Sequence, residues 1–346
     1  MISPQLLALV RCPACHAALK GEPSALTCTG CGKQYGGPSV DFLDLRPHEN
    51  FEERTKYLDE ALHADARYER VSPPFLGSKI RNDMLRAFLA PGPSDRIVDL
   101  GCGSGRAMLW NRDWAGQAVG IDIAPFFANE ARRDVDLLLG DLRRLPFADG
   151  AFTKAYSLDV LEHLSPDALR GMLAEAARVL APGGQLFIYT HVRKNARIAL
   201  GLRWINRLAQ RLDRAGMIDL RQEHLRKSDH LNPLADIPEL RRVAADTGFR
   251  IARIRYYTPI VGGFVENILM RLAEQRLARR ARGASRDNAM TQEDALKAAR
   301  TAGKARVASS GSTRVALRAL TTAMKLDLLL FGRIESGPFF ALLERR

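Results

Sequence analysis

Short apolar runs alternate with amphipathic stretches through the middle of the chain. Runs rich in β-branched residues predict strands, whereas apolar residues spaced three or four positions apart predict helices. From residue 96 onwards the pattern predicts strand 96–100, helix 105–114, strand 118–123, helix 125–133, strand 135–139, strand 152–158, helix 166–180, strand 185–190, helix 236–247 and strand 249–257. This alternation is typical of an α/β protein whose parallel sheet is covered by helices on both faces.

A glycine-rich turn follows the first predicted strand. The segment Asp99-Leu-Gly-Cys-Gly-Ser-Gly-Arg106 places Gly101, Gly103 and Gly105 between a strand and a helix. Glycines let a ligand approach backbone N–H groups closely, and the helix N-terminus favours negative charge. Asp122 ends the second strand about 20 residues later, where an acid can hydrogen-bond both ribose hydroxyls of a nucleoside. The spacing Gly-x-Gly-x-Gly does not fit a dinucleotide site, which requires Gly-x-Gly-x-x-Gly.

The turn and the motifs after it resemble the class I S-adenosylmethionine (SAM) methyltransferases of the type-11 domain, over roughly residues 82–255. Besides the turn, the resemblance rests on Gly140-Asp141-Leu142, Leu145-Pro146-Phe147, the Glu162-His163 pair and the run from Arg178 to Gly184. It implies methyl transfer from SAM and an α/β, Rossmann-like, seven-stranded sheet in the order 3-2-1-4-5-7-6, with the segment 337–343 as the last strand.

The same resemblance implies which residues bind SAM. Asp141 bonds the adenine amino group, Leu142 contributes its backbone, and Asp99 orders the glycine turn at the methionine end of SAM. The full implied set is Asp99, Gly101, Gly103, Gly105, Asp122, Ile123, Asp141, Leu142 and Leu158.

Two histidines are candidate catalytic residues. His163 follows the fourth strand, and its ordinary pKa near neutrality suits it to remove a proton from an oxygen or nitrogen acceptor. The alternative is that His163 only shapes the pocket. His230 lies in the insertion after the fifth strand and is expected to face the acceptor from above. The sequence contains no Asn/Asp-Pro-Pro-Tyr/Phe motif, which argues against methylation of an exocyclic amine of nucleic acid.

Four cysteines near the N-terminus form two Cys-x-x-Cys pairs, Cys12 with Cys15 and Cys28 with Cys31. Four thiolates close a tetrahedral shell, so the pattern predicts a structural Zn²⁺ site and makes His16 unnecessary as a ligand. The segment resembles the zinc-ribbon family that activates methyltransferases by binding a separate catalytic subunit. Fused to its enzyme, it is expected to stabilise the enzyme or to present substrate.

These motifs divide the chain into five segments. They are a zinc ribbon (1–46), a linker with N-terminal helices (47–93), the SAM-binding core (94–258) with a helical cap insertion (191–233), a basic helical and disordered insertion (259–336) and the last core strand (337–346). A hydrophobic content of 46% provides a sizeable core. No apolar run reaches the roughly 18 residues of a spanning helix, so we expect a cytoplasmic protein.

The net charge of +13 is concentrated in the two insertions. Residues 191–214 carry seven basic and one acidic side chains, and residues 271–346 carry 16 and 7. Arginines interleaved with apolar stripes predict peripheral attachment to an anionic membrane; the alternative is that the stripes are buried on the core or in a dimer. The expected function is methylation of O, N or C in a small-molecule or lipid-linked acceptor. RNA methylation and a non-enzymatic SAM-binding module are the competing hypotheses, and the sequence indicates no oligomeric state.

Overall fold

A computed structural model describes residues 2–37, 41–46, 71–114, 116–192, 199–220, 230–231, 233–257, 260–284, 310–335 and 337–346. Their helices are α1 (Pro4–Leu9), α2 (Leu76–Leu89), α3 (Arg106–Trp110), α4 (Asn129–Asp134), α5 (Pro166–Val179), α6 (Ala199–Arg214), α7 (Ile237–Asp246), α8 (Val261–Phe264), α9 (Met270–Ala284) and α10 (Gly311–Phe331). A 3₁₀ turn spans Leu161–His163, and a π-helical turn, Val265–Leu269, joins α8 to α9. Most of the predicted disordered segment and most of the linker lie outside the described residues.

The N-terminal unit is a small antiparallel sheet preceded by α1. Its strands are β1 (Leu19–Glu22), β2 (Ala25–Cys28) and β3 (Gln34–Tyr35), paired in that order. The side chain of Ser3 caps α1 by accepting a 3.0 Å hydrogen bond from the backbone N–H of Leu6. This short unit buries few side chains, so it depends on the cysteines and on its contact with the core.

The second sheet forms the core of the molecule. Its strands are β4 (Leu43–Asp44), β5 (Arg96–Leu100), β6 (Gln117–Asp122), β7 (Asp136–Leu139), β8 (Phe152–Leu158), β9 (Leu180–His191), β10 (Phe249–Tyr256) and β11 (Pro338–Arg345), in the spatial order β10-β11-β9-β8-β5-β6-β7-β4. Strands β5 to β9 pair in parallel, and β11 lies antiparallel between β9 and β10. The predicted order 3-2-1-4-5-7-6 is confirmed, with 338–345 inside the sheet.

The predicted count of seven strands is wrong, because the sheet has eight. The additional strand, β4, comes from the N-terminal segment and pairs in parallel with β7, with Leu43 opposite Leu138. A sheet edge presents unpaired N–H and C=O groups. Although β4 has only two residues, it pairs with the edge strand β7 and buries Leu43. The periodicity of the sequence gives no signal for so short a strand.

Both faces of the main sheet are buried, which explains the nearly continuous apolar runs of its strands. Along β9, Ile188 packs in the core cluster on one face with α5 and α7, whereas Tyr189 packs on the other face with α2. Successive residues point to opposite faces, so α/β layering follows directly from the strand period.

Helix α3 is shorter than predicted and ends at Trp110. The side-chain amide of Asn111 donates to the carbonyl of Ala107 at 2.7 Å and to the Asn82 side chain at 2.6 Å. Side-chain bonds of this kind compete with the helical backbone pattern. Asn111 therefore ends α3 and joins α3 to α2 through the side chain of Asn82.

The two insertions form a helical cap over the face that carries α2. Helix α10 packs on α2, with Met324 buried and the hydroxyl of Thr321 accepting a 3.1 Å hydrogen bond from the backbone N–H of Leu76. Helix α6 packs its Ile205 and Leu212 against the π-helical turn and α9. None of the described helices is long and apolar enough to cross a membrane.

Candidate functional site

The glycine turn forms an open cradle between β5 and α3. Gly101, Gly103 and Gly105 all have positive φ angles, of +83°, +54° and +78°, which L side chains rarely adopt. A Cβ at Gly101 would collide with Val160, and one at Gly105 with Ala131, so both positions are closed on the protein side. A Cβ at Gly103 would meet nothing within 4 Å. Gly103 is therefore the point where a ligand can approach the backbone.

Asp122 lies beside this cradle at the end of β6. Its carboxylate accepts hydrogen bonds from the backbone N–H of Gly103 at 2.7 Å and from that of Ala124 at 2.9 Å. Burial raises its pKa, and these backbone donors partly oppose the shift. Two donors leave part of the acceptor capacity of the carboxylate for a ligand. Ile123 follows, and its carbonyl accepts a 3.4 Å hydrogen bond from Arg46.

Asp99 lies below the cradle, with only 2% of its surface exposed. Burial raises its pKa well above the ordinary value, a hydrogen bond with the Tyr156 side chain opposes the shift, and the nearby Asp122 charge adds to it. These interactions join Asp99 to Tyr156 of β8, and its expected role in ordering the loop stays a prediction.

Asp141 and Leu142 follow β7 at the same edge of the sheet. Asp141 is buried, and both of its oxygens accept hydrogen bonds from the guanidinium of Arg143, at 2.8 to 3.1 Å. The backbone N–H of Arg143 donates to the same carboxylate at 2.9 Å. Any adenine amino group would therefore share this carboxylate with Arg143, a partner that the sequence motif does not indicate. Leu142 is partly buried against the core.

Leu158 ends β8. The next residue, Asp159, lies near Arg81, which the sequence reasoning missed. Asp159 adopts a positive φ of +56°, and its carboxylate lies 3.8 Å from the guanidinium of Arg81 on α2. Arg81 also stacks over the ring of Tyr189, with its Cζ 5.3 Å from the ring centroid. Strained backbone of this kind collects at ligand sites. Only the tertiary structure brings α2 to this place.

Glu266, in the π-helical turn of the cap, faces Arg81 as well. Burial raises its pKa, while the charge of Arg81 opposes the shift. The hydroxyl of Tyr257 lies 3.5 Å from its carboxylate. A π-helical turn is frequent at functional sites, and here it directs Glu266 inward. No periodicity in the sequence predicts such a turn.

His163 and His230, the predicted catalytic pair, lie next to each other. Their ring centroids are 4.6 Å apart in an edge-to-face arrangement, and the ring of His191 lies 5.2 Å from that of His230. Glu162 is buried beside them, and its carboxylate accepts a 2.9 Å hydrogen bond from the hydroxyl of Thr190. Burial raises the pKa of Glu162 to about 7. Sequence reasoning missed His191 and did not assign Glu162 a role.

The four ribbon cysteines converge on one point. The Sγ atoms of Cys12 and Cys31 are 3.7 Å apart, and those of Cys15 and Cys28 are 3.4 Å apart. Tetrahedral zinc with bonds of 2.3 Å needs sulfurs about 3.8 Å apart, so the set fits. The backbone N–H groups of Cys31 and Gly30 lower the pKa of the Cys28 thiol to about 6, which favours the thiolate that a metal binds.

The ribbon is attached directly to the main sheet, at β7 and the segment that follows it. The backbone N–H of Arg11 donates to the carbonyl of Pro146 at 2.8 Å, and Val10 forms an antiparallel bridge with Phe147. The hydroxyl of Ser3 donates to Asp136 at 2.6 Å. The contacts at Pro146 and Phe147 lie in the segment that follows Asp141, whereas the bond to Asp136 lies at the start of β7. The ribbon therefore contacts both ends of this part of the sheet edge.

An α/β sheet with a glycine cradle at the ends of its parallel strands defines a nucleotide-type binding fold. Within it, residues 98–188 match the protein family described as "Methyltransferase domain". This part of the chain is a methyltransferase domain.

Among curated proteins, the chain is 34% identical over 134 residues to "Probable tRNA methyltransferase 9B" of Mus musculus, covering 38% of this chain and 30% of that protein. It is 28% identical over 170 residues to "Sterol 4-C-methyltransferase strm-1" of Caenorhabditis elegans, covering 45% and 49%. The chain thus spans less than half the length of these relatives. One is named for tRNA and the other for sterols.

Solved structures that the chain matches include phosphoethanolamine N-methyltransferase 2 of Haemonchus contortus in complex with SAM. Its TM-score is 0.47 at 16% identity, covering 91% of this chain and 62% of that one. A chain from the Haloferax volcanii complex between the Trm112 methyltransferase activator and a methyltransferase has a TM-score of 0.46 at 17% identity, covering 85% and 99%.

Proposed function

We propose that this protein is a SAM-dependent methyltransferase that acts on a small-molecule or lipid-linked acceptor. The observation that carries the proposal is the pairing of the open backbone at Gly103 with the Asp122 carboxylate, inside a segment that matches a methyltransferase domain. The open backbone of the glycine loop suits the methionine end of SAM. The Asp122 carboxylate, at the end of β6, suits the ribose hydroxyls.

In this proposal, the SAM-binding residues are those of the cradle and the neighbouring strand ends. Asp122 and Ile123 hold the ribose, Asp141 and Leu142 the adenine, and Leu158 with the glycine loop the methionine end; Asp99 orders the loop. SAM supplies an activated methyl group on its sulfonium, so the protein has only to position the acceptor and accept its proton.

The acceptor is proposed to lie where His163 and His230 meet the cap. Either imidazole can accept the proton of an oxygen or nitrogen nucleophile near neutral pH. Arg81 and Glu266 border the same region, from α2 and from the π-helical turn.

The lipid-linked part of the proposal is supported by apolar side chains on the outside of the cap. Trp204 on α6 is 68% exposed, Leu330 on α10 is 69% exposed, and Phe264 on α8 is 39% exposed. Arg207 and Arg211 are exposed on α6 as well. Apolar side chains among arginines suit peripheral attachment to an anionic bilayer, which would bring a lipid-linked acceptor to the cap.

RNA is the second candidate acceptor, favoured by the 34% identity to a relative named for tRNA. The two acceptors differ in a measurable way. Binding to RNA neutralises several phosphates and therefore weakens steeply with salt. A filter-binding titration against a tRNA mixture at several salt concentrations detects or excludes this mode.

For the ribbon, we propose that Cys12, Cys15, Cys28 and Cys31 hold one structural Zn²⁺ ion. The sulfur distances support it, and a shell of four thiolates leaves no open position for catalysis. The ribbon would then stabilise the sheet edge that carries Asp141.

Isothermal titration with SAM tests the enzyme proposal. Asp122→Asn removes a charged hydrogen-bond acceptor, and such bonds contribute about 1.5–3 kcal/mol, so the affinity for SAM should fall about 10- to 150-fold. Asp167→Asn, at an exposed position of α5, is the matched control. If the folded wild type does not bind SAM, both the proposal and the hypothesis of RNA methylation are overturned. If the protein binds SAM but transfers no labelled methyl group to any component of a cell extract, the result would favour a non-enzymatic SAM-binding module.

A further inference from the structure

A cluster of metal-type donors lies outside the SAM cradle, at the adjoining ends of β8 and β9. Glu162 and His163 belong to the 3₁₀ turn after β8, and His191 is the last residue of β9. His230 reaches the cluster from the insertion, almost forty residues further along the chain. Glu162 and His163 are adjacent in the chain, but no metal-ligand motif links them to His191 and His230, because the spacing follows no ligand pattern.

The donor atoms of three of them are close together. One ligand atom each from Glu162, His163 and His230 can be chosen so that all lie within 4.8 Å of one another. Metal–ligand bonds of about 2.0–2.2 Å place tetrahedral ligands roughly 3.4 Å apart, so side-chain movements of about 1 Å would complete such a shell. His191 Nδ1 lies 3.9 Å from the carboxylate of Glu162, which is beyond hydrogen-bond distance, so His191 is a neighbour of the cluster.

The carboxylate is already oriented for this role. One oxygen of Glu162 accepts the hydrogen bond from Thr190, and the side chain is only 3% exposed. A metal ligand is commonly held in place by such a second hydrogen bond, which fixes its orientation. The buried position also means that the side chain can leave the cluster only if the turn rearranges.

Charge around the cluster favours a cation. Asp159, Glu162 and Glu266 share the positive charge of Arg81, and Arg271, which also faces Glu266, is itself paired with Glu274 at 2.9 Å. Among the described residues, the three carboxylates therefore share Arg81 as their common cation. Buried negative charge needs a compensating positive charge, and a divalent ion among neutral imidazoles supplies one.

We propose that Glu162, His163 and His230 bind one divalent transition-metal ion, of the class of Zn²⁺ or Fe²⁺. Imidazole and carboxylate donors suit these ions, and three protein ligands leave at least one coordination position open. Val160, in the turn before Glu162, packs against Gly101 of the cradle, so the site adjoins the proposed SAM pocket. With the ion bound, both imidazoles are ligands and do not accept the acceptor's proton. The open position then fits an acceptor that carries an oxygen donor, whose proton the ion would make more acidic.

This inference goes beyond the proposed function, because metal binding is measured without methyl transfer. It also differs from the ribbon site in its donors. Co²⁺ bound by four thiolates shows strong sulfur-to-metal charge-transfer absorption, whereas Co²⁺ bound by imidazole and carboxylate shows only weaker visible bands. The two sites can therefore be observed separately in one sample of the full chain.

The test is a Co²⁺ titration of the full chain in which the ribbon has first been loaded with Zn²⁺. We expect one further equivalent of Co²⁺, with visible bands but no thiolate charge transfer. His163→Ala and His230→Ala should each weaken this binding at least about tenfold. His16→Asn, in the exposed ribbon turn with a φ of +59° that Asn tolerates, should leave it unchanged.

Metal content by mass spectrometry and SAM affinity are measured on the same samples. Absence of the additional Co²⁺ from folded wild type overturns the inference, as does wild-type Co²⁺ affinity in both histidine variants. Glu162→Gln provides a further variant that keeps the side-chain volume if an alanine variant fails to fold. Since SAM titration reports the cradle alone, failure of the metal site leaves the proposed function intact and distinguishable.

Discussion

The backbone N–H of Gly103 donates a 2.7 Å hydrogen bond to the carboxylate of Asp122, nineteen residues further along the chain. This bond joins the two parts of the cradle, the loop after β5 and the end of β6. It keeps the loop close to the acid, while the Cα of Gly103 faces open space. A substitution of Gly103 can therefore change ligand binding without changing how the protein packs.

Gly103→Ala is expected to fold and to bind SAM at least about tenfold more weakly. Its Cβ meets no protein atom, so the fold loses only the roughly 1–2 kcal/mol cost of a positive φ, whereas the same Cβ occupies the ligand's approach. Gly216→Ala, with a φ of +67° and equally open space, is the matched control. Thermal unfolding and SAM titration check both variants; equal SAM affinity in the two would contradict the cradle assignment.

The ion pair between Asp95 and Lys154 is expected to make stability depend on pH. Although burial opposes ionisation, bonds from the Gly92 N–H, the Thr153 hydroxyl and Lys154 lower the pKa of Asp95. A lowered folded pKa contributes stability above the unfolded pKa of about 3.9, and this contribution is lost as pH falls through the folded value. Asp95→Asn should thus cost about 1–3 kcal/mol at pH 7 and progressively less below about pH 4.

Urea unfolding across this pH range measures the difference between wild type and Asp95→Asn. Asp246→Asn is the control, because its pair with Arg170 at 3.5 Å is solvent-exposed and such pairs contribute little. A difference that stays constant down to pH 2 would show that Asp95 acts through packing and not through its charge.

Loss of the ribbon metal is expected to destabilise the core as well as the ribbon. Cys12→Ser with Cys28→Ser should remove one Zn²⁺ per chain and lower the Tm by at least about 4 °C, because β4 and the bridge at Val10 hold the ribbon to the sheet edge. Cys102→Ala, a buried cysteine outside the ribbon, should keep the zinc. Zinc analysis and calorimetry decide; an unchanged zinc content in the double variant would rule out the four-cysteine site.

Membrane attachment is expected to depend on the cap and not on total charge. The full chain should sediment with phosphatidylglycerol vesicles and not with neutral ones. Arg207→Glu with Arg211→Glu should reduce vesicle binding roughly 30-fold, since each basic residue near an anionic surface contributes about 1 kcal/mol. Arg241→Glu with Arg242→Glu makes the same charge change on α7, across the sheet from the cap. Equal recovery in the supernatant for every protein and vesicle would refute the attachment.

The cap also shows how far an amphipathic pattern can be interpreted. The sequence left α6 with two interpretations, a membrane-facing stripe or a stripe buried on the core. In the structure Ile205 and Leu212 pack against α9 and the π-helical turn, whereas Leu208 is 43% exposed and Trp204 points outward. Part of the stripe is therefore core, and what covers the rest depends on surroundings that periodicity does not encode.

The resemblance to the class I methyltransferases implied the sheet order. The sequence by itself determined the alternation of strands and helices, the glycine cradle next to Asp122 and the convergence of the four cysteines. These features follow from local rules: strand periodicity, the positive φ that only glycine adopts readily, and the short reach between paired cysteines. The roles assigned to Asp141, His163 and His230 remain predictions.

The tertiary structure alone decided the partners of these groups. It placed β4 on the sheet edge, Arg143 on Asp141, Arg81 beside Asp159, and His191 and Glu162 beside the two histidines. These contacts join residues through burial and charge across elements far apart in the chain. Such pairings depend on how whole helices and turns pack, and a one-dimensional pattern of apolar and polar positions does not contain that information.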